Sequence, residues 1–136
     1  MVFRSNIADL LAVPIGEPVA ILHQPAVSRA TNRTILTTRV IPFLVLEQTP
    51  GMPEGTADRT DLITAWKAQY GPLTAAHYFR AVIPAGDQRD ALGIAEPAPA
   101  QEHIRITETS DQRPLMLELF LSAADIRAFI RVADAQ

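Results

Sequence analysis

The sequence predicts an α+β fold: a small, mostly antiparallel sheet, either a sandwich or a partly closed barrel, with two or three peripheral helices. Three observations carry this expectation. Residues 103–109 and 114–121, HIRITET and PLMLELFL, are strand-type apolar runs on either side of a turn-forming SDQR. Leu62, Ile63, Trp66 and Tyr70 share one helical face. Strand-like and helix-like segments do not alternate in the rhythm of a parallel βαβ sheet.

Taken in order, Ser5 caps a short helix over 6–13, with Ile7, Leu10 and Leu11 at helical spacing, and Pro14 and Gly16 end it. Residues 18–24 read as a first strand stopped by Pro25. The polar segment 26–33 reads as a loop. Residues 33–48, rich in Thr, Ile and Val, read as one long strand or two short ones. Within them Val40 to Leu46 is an unbroken apolar run that contains Pro42, which cannot donate to a ladder and so belongs at an edge or a bend. Prolines and glycines make 48–58 a loop. Asp58 or Thr60 then caps the helix that carries Trp66, and Gly71-Pro72 terminates it.

Residues 73–83 fit two patterns. Leu73, Ala76, His77 and Arg80 would share a helical stripe, whereas His77, Phe79, Ala81 and Ile83 would alternate along a strand. Tyr78, Phe79, Val82 and Ile83 favour the extended form in the second half. Residues 84–102 read as a long irregular connection. The 103–121 hairpin follows, and Ser122 caps a closing helix over 123–133 with Ile126, Phe129, Ile130 and Ala133 facing the core. The whole of 1–136 is expected to form one domain, near the modal domain size.

Composition narrows the chemistry. The absence of cysteine excludes disulfides, thiol catalysis and thiolate metal sites. A net charge of −3 gives no general basic field for nucleic acid. No segment is long and apolar enough to span a bilayer, and Asp9 interrupts the N-terminal apolar patch, so neither a membrane partner nor a signal peptide is expected. The default location is the cytoplasm of the producing cell, or a virion if the protein is phage-derived.

His23, His77 and His103 show no HxH, HxxxH or HExxH spacing, so no metal site is expected. Ser28, Ser110 and Ser122 lie in loop, turn or cap contexts rather than a GxSxG elbow. Asp58, Asp61, Asp87 and Asp90 suit solvated helix starts and loops better than acid–base pairs. No glycine-rich phosphate loop occurs, and no cofactor is expected.

Two features invite partners. Two-sided apolar character in the run around Pro42 asks for burial on both faces. Between Glu17 and Glu47 there is no acidic residue, while Arg29, Arg33 and Arg39 are present. The favoured function is therefore a non-enzymatic assembly subunit of a homo-oligomer or larger complex, such as a phage or virion decoration, neck or tail component. Its partners would be identical subunits or other assembly proteins, meeting at Val40, Pro42, Leu44, Leu46, Arg29, Arg33 and Arg39. One alternative is a small-ligand protein or enzyme with a pocket lined by Trp66, Tyr70, His77 and Tyr78. The other is a regulatory, nucleic-acid-associated protein using the Arg29 to Arg39 segment.

Overall fold

A computed structural model describes residues 7–14, 16–27, 34–51, 58–94 and 98–123. It is α+β with an antiparallel sheet and peripheral helices, as the sequence predicts; among the described residues the sheet forms one open layer, neither paired into a sandwich nor closed into a barrel. Strands β1 (Val19–Val27), β2 (Thr34–Pro42), β3 (Leu73–Val82), β4 (Ala100–Thr109) and β5 (Pro114–Ala123) lie in the order β1-β2-β5-β4-β3. Every neighbouring pair is antiparallel. The described helical segments are α1 (residues 7–10), α2 (Phe43–Glu47), α3 (Arg59–Tyr70) and α4 (Gly86–Leu92).

The alternation of strand side chains builds two cores on the two faces of this sheet. On one face Val40, Ile106, Leu117, Leu119 and Leu121 pack with Leu11, next to α1, and with Leu92 of α4. On the other, Ile41, Leu73 and Met116 pack beneath Val45 of α2 and Leu62, Ile63 and Trp66 of α3. Helices on both faces explain why β5 reads as nearly continuous apolar residues: it is central and covered from both sides.

The run around Pro42 divides between two elements. β2 ends at Pro42, whose φ of −59° and ψ of 137° turn the chain into α2. The expected second strand here is instead a short helix, because the extended path ends at a residue that cannot continue the ladder. Val45 is buried, while Phe43 and Leu44 are exposed. A relay then fastens α2 to α3: the Thr49 hydroxyl donates to the Val45 carbonyl at 2.6 Å, and the Trp66 indole N–H donates to the Thr49 hydroxyl at 3.0 Å.

Elsewhere, β3 is extended throughout, settling the ambiguity of 73–83 in favour of a strand. The connection 84–102 contains α4, whose end is made by Gly93 in the left-handed region at φ 73°. Asp58 is the N-cap residue of α3, but its side chain makes no capping hydrogen bond. Ser122 is buried within β5 rather than capping a helix, and Ala123 belongs to the same strand. β1 runs on through Pro25 to Val27, so Pro25 does not stop it and the first two residues of the expected 26–33 loop are strand, paired with β2 along an edge where a missing N–H is tolerated. The rest of that loop, the remainder of the expected closing helix and Ser5 lie outside the described residues.

Candidate functional site

Register sets up three successive rows on the face that α2 and α3 partly cover. The first is apolar or small: Met116 opposite Thr107, and Thr107 opposite Ala75. The next is charged, and runs Arg39, Glu118, Arg105, His77 across β2, β5, β4 and β3. The third is aromatic, running Thr37, Phe120, His103, Phe79 across the same strands. Successive rows differ by two residues along each strand, so all three point to the same side.

Glu118 anchors the charged row. It is 1% exposed, a degree of burial that a carboxylate tolerates only with partners. Arg105 reaches it through Nε at 3.1 Å and Nη2 at 2.9 Å, both donating to Oε1. From the start of α3, Arg59 Nε donates to Oε1 at 3.0 Å and Oε2 at 3.2 Å. Arg39 Nη2 stands 3.9 Å from Oε2. The Nη2 of Arg59 is buried and has no hydrogen-bond partner.

The aromatic row is stacked. Phe79 and His103 have centroids 4.5 Å apart and planes 7° apart, and His103 and Phe120 follow at 5.2 Å and 29°. Arg105 Cζ lies 5.2 Å from the Phe120 ring centroid, which ties this row to the charged one. His77 Nδ1 and His103 Nε2 are 2.9 Å apart, so one ring donates to the lone pair of the other. Such a pair needs at least one neutral imidazole. Burial, with the charges of His77 and Arg105, pushes His103 down to about 4, although Glu118 opposes the shift. Burial and Arg105 also lower His77. Near neutral pH the site thus offers guanidinium donors, neutral imidazoles and ring edges. Among the described residues no group of three or more His, Cys, Asp or Glu converges to hold a metal.

Several clefts lie elsewhere. One of them, about 640 Å³, includes His23, Thr38, Arg80, Asp87 and Glu102 in its lining. There Arg80 pairs one-to-one with Glu102, and Asp87 leaves the lining with a negative excess.

The residues singled out from sequence are dispersed. Trp66 is fully enclosed in the α3 core, and Tyr70 beside it is half-buried with Arg113 5.6 Å from its ring centroid. His77 is in the charged row, whereas Tyr78, one residue on, points to the opposite face and lines a cavity of about 280 Å³ with Leu10 and Ile104. Val40 and Pro42 are buried, Leu46 is half-buried, and Leu44 is exposed. Arg39 joins the Glu118 cluster, while Arg29 and Arg33 lie outside the described residues. Sequence reasoning missed Glu118, Arg59, Arg105, His103, Phe79 and Phe120 as a group. The available signal was a lone glutamate inside LMLELFL, opposite a strand carrying His103 and Arg105 at the same parity.

No protein-family model matches the chain, and no curated protein matches it. Solved structures do match in fold. A GntR-family transcriptional regulator from Bacillus cereus superposes with a TM-score of 0.71 at 14% identity, over 93% of this chain and 87% of that one. The C-terminal domain of Yurk from Bacillus subtilis gives 0.68 at 17% identity, over 90% and 83%. The effector-binding domain of the B. subtilis trehalose repressor gives 0.62 at 11% identity, over 93% and 86%. These likenesses establish a shared fold. They also overturn the expectation of a phage, virion or other structural assembly subunit. That expectation rested on an apolar run needing an outside partner, and the run is instead divided between β2 and α2, with Val40, Ile41 and Val45 all in the protein's own cores.

Proposed function

We propose that this chain is a small-ligand-binding, effector-sensing domain of a GntR-type transcriptional regulator, and that its ligand sits over the charged and aromatic rows. The observation that carries this reading is the Glu118 cluster. Three arginines from β2, α3 and β4 converge on a buried carboxylate, beside a stacked ring row whose end member, Phe79, is half exposed. Plain structural need does not call for so much polarity beside an apolar core, because a buried ion cluster contributes little net stability compared with packed hydrocarbon. Ligand sites, by contrast, combine apolar walls with a few fixed polar groups. The fold shared with regulator domains supports the same reading. A net charge of −3 suits a sensing domain that leaves DNA contact to another unit.

A thermal-shift screen of the chain against a library of small metabolites tests this. At least one compound should raise the melting temperature in a saturable way, since a ligand that binds only the native state stabilises it by mass action. Phe79→Ala should weaken that gain. A library with no stabilising compound, or a gain indifferent to changes at Phe79, Arg59 and Arg105, would refute the assignment.

A further inference from the structure

We propose that the ligand of this face is a small planar carboxylate, held by the surplus guanidinium charge around Glu118 and laid across the upright ring edges of Phe79, His103 and Phe120. This inference rests on the reading of the face as a ligand site, and charge counting takes it further. Arg59 and Arg105 share one carboxylate, so one unit of positive charge remains even with Arg39 left out of the count. Both side chains are about three-quarters buried, at 25% and 23% exposure, so solvent compensates that charge only partly. Arg59 Nη2 is a buried donor without an acceptor, the kind of group a ligand oxygen satisfies.

The sign and size of the surplus select the headgroup. Among the described residues, the two histidines nearest the cluster add little charge at neutral pH, because their surroundings favour the neutral rings. A carboxylate brings one negative charge and matches what the two arginines hydrogen-bonded to Glu118 leave uncompensated. A phosphate monoester brings about −1.5 to −2, more than those two arginines leave. Carboxylates also fit the planar guanidinium fork.

The aromatic row selects the body. Ring centroids 4.5 and 5.2 Å apart on adjacent strands, with small interplanar angles, mean that the rings stand upright on the sheet, spaced as the strands are. They present C–H edges, the positive side of the aromatic quadrupole, to whatever lies above. A flat π face over those edges makes the favourable edge-to-face contact. The charged row lies one row away, roughly 7 Å along the strands, a separation that a single-ring carboxylate bridges.

The test uses defined probes on the full chain, followed by amide NMR near neutral pH. Benzoate should shift Phe79, His103, Arg105 and Phe120 in a saturable way. Its affinity should exceed that of benzamide and of cyclohexanecarboxylate by about tenfold, as one charge-assisted contact or one ring contact implies. Phenyl phosphate should bind no tighter than benzoate. Arg59→Gln should remove most of the advantage over benzamide. Phe79→Ala, at a half-exposed position, should reduce the advantage over cyclohexanecarboxylate. Equal binding of benzoate and benzamide, equal binding of benzoate and cyclohexanecarboxylate, or a clear preference for phenyl phosphate would each overturn the proposal. If a neutral probe such as glucose shifts these residues and benzoate does not, the planar carboxylate is wrong but the small-ligand reading stands. Should no probe and no library compound act at these residues, both readings fall.

Discussion

Replacing Glu118 by glutamine removes one negative charge and almost no volume, so it isolates the electrostatic role of the residue. Two guanidiniums approach the carboxylate at 2.9–3.2 Å. At an effective dielectric of about 20, each pair with charge centres roughly 4 Å apart contributes about 4 kcal/mol of gross attraction. The net loss is smaller, since an amide oxygen still accepts one hydrogen bond and both arginines retain some access to water. Removing one member of a buried pair costs about 3–5 kcal/mol, and the partial exposure here argues for the lower end, about 3 kcal/mol. With a urea m-value of about 2 kcal/mol/M, the unfolding midpoint should fall by about 1.5 M at unchanged m. The variant also carries a larger positive surplus, so benzoate should restore more stability to it than to the parent chain. A midpoint shift under about 0.3 M, equivalent to roughly 0.6 kcal/mol, would show that the arginines gain nothing from Glu118. Glu118 would then not preorganise a charge site.

Other perturbations test neighbouring parts of the structure. Val45→Glu should prevent folding or cost more than about 4 kcal/mol, because it places a charge among Ile41, Trp66 and Met116, while Leu44→Glu should change stability by less than about 0.5 kcal/mol; circular dichroism melts separate the two. Trp66→Phe should cost about 2–3 kcal/mol in urea unfolding, through lost volume and a Thr49 hydroxyl deprived of its donor. Stability should also fall with acid between the ordinary histidine range near 6.5 and about 4. In that window the unfolded chain binds protons that the folded His103 refuses, so unfolding becomes easier as pH drops. His103→Gln should flatten that part of the pH–stability profile, and an unchanged slope would contradict the assignment. Gly93→Ala should cost about 1 kcal/mol, since φ of 73° disfavours a β-carbon although nothing obstructs one sterically.

Much of the fold was legible where one local pattern dominated. The β4–β5 hairpin announced itself through alternation and its turn, and α3 through the spacing of Leu62, Ile63 and Trp66. Residues 73–83 held two patterns at once, and pairing with β4 along the whole of β3 resolved them. The stretch after Pro42 misled because Phe43 to Leu46 are apolar and branched enough for a strand. Whether such a stretch extends or coils depends on the tertiary context that packs Val45 beside Ile41. The candidate site was least visible. Its members come from β2, α3, β3, β4 and β5, and only register puts Arg39, Glu118, Arg105 and His77 in one line. Parity within single strands hinted that His103 goes with Arg105, and Glu118 with Phe120, but nothing local joined those pairs.

Strand order has a consequence for the birth of the protein. Among the described residues β1 pairs only with β2, and β3 only with β4; β5, the last of the five described strands, lies between the two hairpins. A growing chain can therefore form two separate hairpins with their helices, but no continuous sheet until β5 leaves the ribosome. Such late, long-range closure is slow and leaves apolar strand edges open in the meantime. Glu118 arrives with that closing strand, and until it does Arg39 and Arg105 belong to disconnected halves. Ligand recognition here would be a property of the finished chain alone, and ribosome-bound intermediates halted before Pro114 would be blind to the effector.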